Sequence, residues 1–556
     1  MNRSLLFCIA GLWLAAANAT SADSPYVDPS LSSADALVNV ASFADLEQLA
    51  QHRSRLEHQP RATLPEPLAA LTYDEFLKIT FRSERATWRD ESPFYFETFH
   101  RGFVQRDQVR IFTVDQGEVS EVPYDRSDFA YGELLDPSIF PSDLGHAGLK
   151  IVGDVRGVVD DEEMLTFLGA SYFRGRSVET VYGTSVRGLG LDMAMNGPEE
   201  FPCFHALWIH RPGDDEQQIE ILALMDSESV SGAYRFVFVP GAVESTLDVD
   251  ATIYFRRVPE KFCVAPITSM WIWGDGLRGP PKDNRPGVHD SDGLLVRTPS
   301  DRPDGGDQWS WRAFGRQDYP SVSRFRVQEL KGFGVLQRNR AFLHYDDHNA
   351  QYHKRPSVWI APRQSWKDGH IELFELPGAH EGIDNIGAYW VPDAVPSLNE
   401  PVRLNYRVSF FPGDYKEQTG VARATSFQLI RKGERTTDAS EAAELTNRDI
   451  PESKEPSGDA KLRIRFAGSE LQDLDVQDSV KLDVQMVRAG VVEQSVTQTS
   501  TGDILAEVDF QFTEDTPAEI AVFLERDGAA LSETFKYLCP VETPTFSFPA
   551  VYTRQE

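Results

Sequence analysis

The sequence predicts an all-β protein, a large β-sandwich followed by a small immunoglobulin-like one. Three observations lead there. Alternating or β-branched and aromatic runs recur from about Pro93 onward. Turn residues separate many of them. Helical patterning is confined to short stretches near the start, and a polar stretch from Arg431 to Pro456 separates the last hundred residues from the rest.

The elements follow in chain order. Arg3, an apolar run from Leu5 to Ala17 and the small-x-small site Ala17-Asn18-Ala19 read as a cleavable signal peptide over residues 1–19, too short to anchor in a bilayer. Ser42 is placed to cap a helix with apolar positions at Phe43, Leu46 and Leu49, and Thr72 to cap a shorter one with Glu75 three residues on. Phe94–Phe99, Val109–Val114, Ile219–Leu224, Tyr234–Val239, Ala251–Phe255 and Leu404–Phe410 are expected strands. Residues 23–412 are taken as the main sandwich and 413–456 as a connection. Leu462–Phe466, Val480–Val484, Ala506–Phe510 and Ala518–Phe523 are short strands whose spacing suits an immunoglobulin-like sandwich over 457–556. There is no internal repeat and no Gly-rich phosphate loop.

The 556 residues carry 86 acidic against 55 basic side chains, a formal charge of -31. That surface repels phosphate backbones and anionic lipid, so nucleic-acid and membrane-surface partners are not expected, while neutral ligands remain open. No run after the signal peptide approaches the length of a membrane span. Cys203, Cys263 and Cys539 are read as buried thiols, with a Cys203–Cys263 bridge as the alternative. No C-x-x-C or H-E-x-x-H is present. His344, His348 and His353 with Asp346 and Asp347 match no standard ligand spacing and read as a solvated loop. Neither a metal nor an organic cofactor is expected.

Eight tryptophans fall in one window: Trp208, Trp271, Trp273, Trp309, Trp311, Trp359, Trp366 and Trp390. Each taken singly suits a core, but the clustering points to stacking faces for sugar rings. The same window holds acidic turns at His289-Asp290-Ser291-Asp292-Gly293-Leu294 and Glu381-Gly382-Ile383-Asp384-Asn385-Ile386. Glycoside hydrolysis needs one carboxyl to protonate the leaving oxygen and another to activate water. Turn-forming aspartates are the plainer reading of each.

Seven stretches in order bring these residues together: Phe167–Arg174, Tyr182–Leu189, Ala265–Trp271, Arg285–Leu294, Gly332–Arg338, Tyr352–Trp359 and Asp384–Trp390. In them the chain resembles the periplasmic glucan biosynthesis (MdoG-like) protein family, from about residue 25 to 412 and more loosely beyond. The resemblance implies a mutarotase-like sandwich with a long cleft, a β-1,2-glucan ligand and a periplasmic location. It assigns the general acid to Asp384 and places Tyr352 near the cleaved bond. The general base falls on an Asp of the His289–Leu294 motif, taken as Asp290 because the family pattern accepts an amide where Asp292 stands. Trp271, Trp273, Trp359, Trp390, Arg355, Glu381 and Asp292 are the expected substrate contacts. An inverting endo-β-1,2-glucanase is one implied activity. The alternative is a non-catalytic factor that escorts or helps branch the glucan, with the inner-membrane glucan synthase as partner.

Overall fold

A computed structural model describes residues 34–59, 64–132, 136–300, 305–378, 380–433, 454–472, 474 and 479–546. The signal peptide lies outside the described residues. The first helix, Phe43–Arg53, is capped by Ser42, whose hydroxyl accepts the Asp45 N–H, and it buries Leu46, Leu49 and Ala50. Thr72 and Glu75 form the reciprocal capping box of the short helix Tyr73–Phe76. Both caps are where the residue types place them.

The rest is β. Among the described residues one sheet has ten strands and a second fifteen. The smaller runs from Phe94–His100 through His146–Val155, Val159–Leu168, Tyr172–Gly175 and Ser185–Arg187 to Phe262–Ser269, then Ile386–Pro392, Trp366–Glu375 and Ser321–Leu330. The main core lies between the two sheets. Phe96, Leu149, Ile151 and Phe173 from the smaller meet Ile221, Phe236, Val249 and Val408 from the larger, each almost completely buried. The alternation visible in the sequence is this inner face: in Ser245–Phe255, residues 247, 249, 251 and 253 point inward.

The C-terminal strands form two facing layers. Arg423–Arg431, Ala460–Ala467, Ile504–Phe512 and Ala489–Gln498 make a four-stranded sheet. Lys481–Val487, Ala518–Arg526 and Thr534–Cys539 make the opposing layer, so the strand count suits the immunoglobulin type. That layer is not separate. Thr534–Cys539 pairs in parallel with Asp307–Ala313, and the larger sheet runs unbroken through both halves. Arg423–Arg431, inside the stretch expected to be a connection, is a strand of the C-terminal sheet; Thr425 is exposed, while Ala424 and Phe427 are buried. Residues 434–453 of that stretch lie outside the described residues.

The tryptophan expectation is corrected. All eight indoles of the window are buried, from 0% exposed at Trp208 to 5% at Trp273. Trp271, Trp273, Trp366 and Trp390 fill the main core, and Trp208 packs under the first helix. Trp309, Trp311 and Trp359 fill the core shared with the C-terminal layers, where Trp359 stacks on Tyr415 at 4.3 Å. Indoles carry the largest apolar area, and where two cores adjoin that area goes to packing rather than to a row of open faces. The three cysteines are buried thiols that form no disulfide, so Cys203 and Cys263 are not bridged.

Candidate active site

One short segment positions both candidate carboxylates. The strand Phe262–Ser269 ends at the chain turn leading to Trp271–Trp273. Thr268 donates its hydroxyl to Asp384 Oδ2 at 2.9 Å. Two residues on, the Met270 carbonyl accepts the Asp290 N–H at 2.8 Å. Asn385 completes the brace: its N–H donates to the Ser269 carbonyl, its Oδ1 accepts the Trp271 N–H, and its Nδ2 donates to the Trp271 carbonyl. Buried behind them, Ser291 lies 2.7 Å from Ser269 and 3.0 Å from Thr184, hydroxyl to hydroxyl. Residues far apart in sequence are thus held by paired backbone and by side chains with little rotational freedom, which is the precision a reacting pair needs.

Electrostatics separates the carboxylates from ordinary surface aspartates. Burial raises Asp384, partly offset by Arg174, the Thr268 hydrogen bond, Arg187 and Arg355. Burial pushes Asp290 up to about 6, against the attraction of Arg355, with the Asp384 charge adding to the rise. Arg355 Nε lies 3.2 Å from Asp290 Oδ1. Two part-buried carboxyls that feel one another have raised proton affinity, a property that acid–base pairs share with buried structural carboxyls.

Tyr352 opens a short 3₁₀ turn, Tyr352–Lys354, and donates its hydroxyl to Glu381 Oε2 at 2.5 Å. Burial, then the Asp290 and Glu381 charges, holds its phenol protonated. Glu381 is also held by Arg285, which reaches Asp283 and Asp347 as well. This arginine clamp stacks over Trp273 at 5.6 Å, and the Trp273 indole N–H donates to the Arg285 carbonyl. Asp347 therefore belongs to the site and not to a solvated loop. Trp271 and Trp273 support the site from beneath. Trp359 lies in the core shared with the C-terminal layers, and Trp390 stacks on Trp366.

Asp292 is turned elsewhere. Its Oδ2 accepts the Asn339 N–H at 2.8 Å and its Oδ1 lies 3.7 Å from His289 Nε2. Asp290, not Asp292, shares its surroundings with Asp384, Tyr352 and Arg355. Sequence reasoning assigned no role to Thr268, Arg174, Arg187 or Arg285. Each stands inside one of the seven matching stretches except Arg285, which opens one.

The family profile of the periplasmic glucan biosynthesis protein MdoG matches residues 41–539. A glucans biosynthesis protein G of Ralstonia nicotianae is 35% identical, with 86% of this chain and 92% of that protein covered. Proteins of the same name from Sodalis glossinidius and Dickeya dadantii are 33% and 31% identical, covering 86% and 90% of this chain and 89% and 93% of theirs. Among solved structures, a galactose mutarotase related enzyme from Lactobacillus acidophilus is 8% identical, with 47% of this chain and 94% of that chain covered. Its TM-score is 0.20, at which the likeness carries no argument.

Proposed function

The chain belongs to the MdoG family of periplasmic glucan biosynthesis proteins, and on that premise we propose that it is a periplasmic, inverting endo-glucanase acting on the β-1,2-linked glucan backbone. Export by the signal peptide of residues 1–19 is part of this reading. The observation that carries it is the pair Asp384 and Asp290, two part-buried carboxyls with raised proton affinity, pinned to the single segment Thr268–Trp271.

Burial raises the proton affinity of Asp384, and the Thr268 hydroxyl fixes the orientation of its carboxyl. In the reaction it protonates the glycosidic oxygen as the bond breaks. Asp290 takes the proton of the attacking water. Arg355 stabilises the Asp290 carboxylate before that transfer, and the neighbouring Tyr352 hydroxyl lies near the bond that breaks. Attack from the face opposite the leaving group inverts the anomeric centre, giving the α product without a covalent intermediate. Arg285, Glu381 and Arg355 supply the charged and hydrogen-bonding groups for sugar hydroxyls.

One observation favours the non-catalytic reading. The family resemblance implies that the base reaches its water through a relay of hydroxyls, and here the Tyr352 hydroxyl donates to Glu381 and not to Asp290. Incubating the purified protein with linear β-1,2-glucan and sizing the products separates the two. Shortened chains released as α anomers support the hydrolase; tight binding with no shortening supports the assembly factor.

A further inference from the structure

A second cluster lies on the other side of the Asp290–Asp292 turn. His289, Asp292 and His344 each offer a ligand atom, and these atoms lie within 4.8 Å of one another, with His289 Nε2 3.7 Å from Asp292 Oδ1. A fourth group joins them, since Asp275 Oδ1 lies 3.9 Å from His344 Nε2. The hydrogen-bond network fixes which atoms face inward. Gln337 uses its amide Nε2 to donate to the His289 and Tyr352 carbonyls, so its Oε1 is the atom facing His289 Nδ1 at 3.0 Å. His289 therefore carries its proton on Nδ1 and turns the bare lone pair of Nε2 toward the Asp292 carboxylate. Each carboxylate is oriented the same way. Asp292 Oδ2 accepts the Asn339 N–H and Asp275 Oδ2 accepts the Phe427 N–H, which leaves both Oδ1 atoms facing imidazoles. His344 Nε2 is buried without a hydrogen-bond partner.

The His289 Nε2 lone pair facing a carboxylate oxygen is repulsive unless a proton or a metal cation lies between them. Space is kept for the rings by two glycines: a Cβ at Gly274 would sit 2.9 Å from His289 Nε2, and one at Gly287 3.2 Å from it. We propose that His289, His344, Asp292 and Asp275 form a binding site for one divalent transition-metal ion of the Zn²⁺ class. Two imidazoles and two carboxylates suit a borderline cation better than Ca²⁺ or Mg²⁺, which prefer oxygen ligands alone. A tetrahedral ion with bonds of about 2.0–2.1 Å sets ligand atoms about 3.3–3.4 Å apart, so side-chain rotation must draw His289, Asp292 and His344 together and bring Asp275 in beside His344 to enclose the ion. The Gln337–His289 hydrogen bond is the outer contact that metal-bound histidines regularly make. The ion has a structural task. Asp275 holds Phe427 of the C-terminal sheet while His289 and Asp292 flank Asp290, so the metal ties that sheet to the turn bearing the candidate base.

The test uses untagged mature protein, stripped with a chelator and titrated with Zn²⁺ against a chromophoric competitor. Wild type is expected to bind one equivalent and to melt at higher temperature with Zn²⁺ present. His344→Ala and Asp275→Asn, checked for folding by circular dichroism, should each lose affinity on the order of 100-fold or more, as removal of a ligand outweighs loss of an outer contact. His348→Ala, outside the cluster, should retain binding. Co²⁺ loaded into wild type should give the visible absorption of a tetrahedral nitrogen–oxygen site, which decides the matter even if a variant does not fold. No stoichiometric Zn²⁺ in wild type, or unchanged affinity in His344→Ala, overturns the proposal.

Discussion

Replacing Asp290 by asparagine should make the protein more stable while abolishing its proposed chemistry. Burial raises this carboxyl from an ordinary 3.8 to about 6 in the folded protein. The folded state thus holds the Asp290 proton more tightly than the unfolded chain does. Well below pH 3.8 both states are protonated and the group costs nothing. As pH rises through the window from about 4 to 6 the unfolded chain ionises first, and the wild type loses stability until the folded group has ionised too. At about 1.4 kcal/mol per tenfold change in proton affinity, the loss reaches about 3 kcal/mol at neutral pH. Asparagine mimics the neutral carboxyl and escapes it. The Asp290→Asn variant should therefore exceed wild type by about 1 kcal/mol at pH 4.5 and by about 3 kcal/mol at pH 7.5. Urea unfolding followed by tryptophan fluorescence at several pH values, with slopes compared to confirm the same transition, reads this directly. A difference that stays flat with pH, or a variant weaker than wild type at pH 7.5, would refute the electrostatic account of the site.

Asp384→Asn should keep glucan affinity by calorimetry while reducing-end release falls about 10²- to 10⁴-fold, since the lost proton acts only in the transition state. Full activity in that variant would remove Asp384 from the acid role. Tyr352→Phe should have a milder effect on turnover, because its hydroxyl is tied to Glu381 in the free protein and water can bridge the gap it leaves; kcat and KM measured separately would show it. Glu533→Ala should cost about 2–3 kcal/mol in urea unfolding, because Arg338, between the main sandwich and the C-terminal layers, loses the carboxylate it meets at 2.6 Å and keeps only Asp414 at 2.8 Å. A cost below about 1 kcal/mol would mean that the two halves are not coupled through this pair.

How much could be read in advance varies by element. Alternation placed the long strands well: Tyr234–Val239 falls inside Val230–Val239 and Leu404–Phe410 inside Val402–Phe411. The helix caps at Ser42 and Thr72 were equally legible, because a cap is a contact between residues three apart. Asp384, Asp290 and Tyr352 were found through the family resemblance, not through patterning, which sees two turn aspartates and an aromatic. The tryptophan window misled because clustering along the chain does not say which face of a sheet an indole takes, nor that two cores adjoin there.

The sequence by itself determined the fold class, the helix caps and the net negative charge, since these depend on neighbours within a turn or on sums over the chain. Tertiary structure alone decided the rest. The pairing of Thr534–Cys539 with Asp307–Ala313 joins strands far apart in the chain, so the continuity of the larger sheet is written in no local signal. Likewise Asp290 and Asp292 stand two residues apart, yet one joins Asp384 and Arg355 and the other joins His289 and His344. That choice belongs to the bend between them, held by hydrogen bonds to Met270 and Leu336, partners 20 and 44 residues away from the residues they hold. Long-range backbone pairing sets where a side chain points, and only the folded chain contains it.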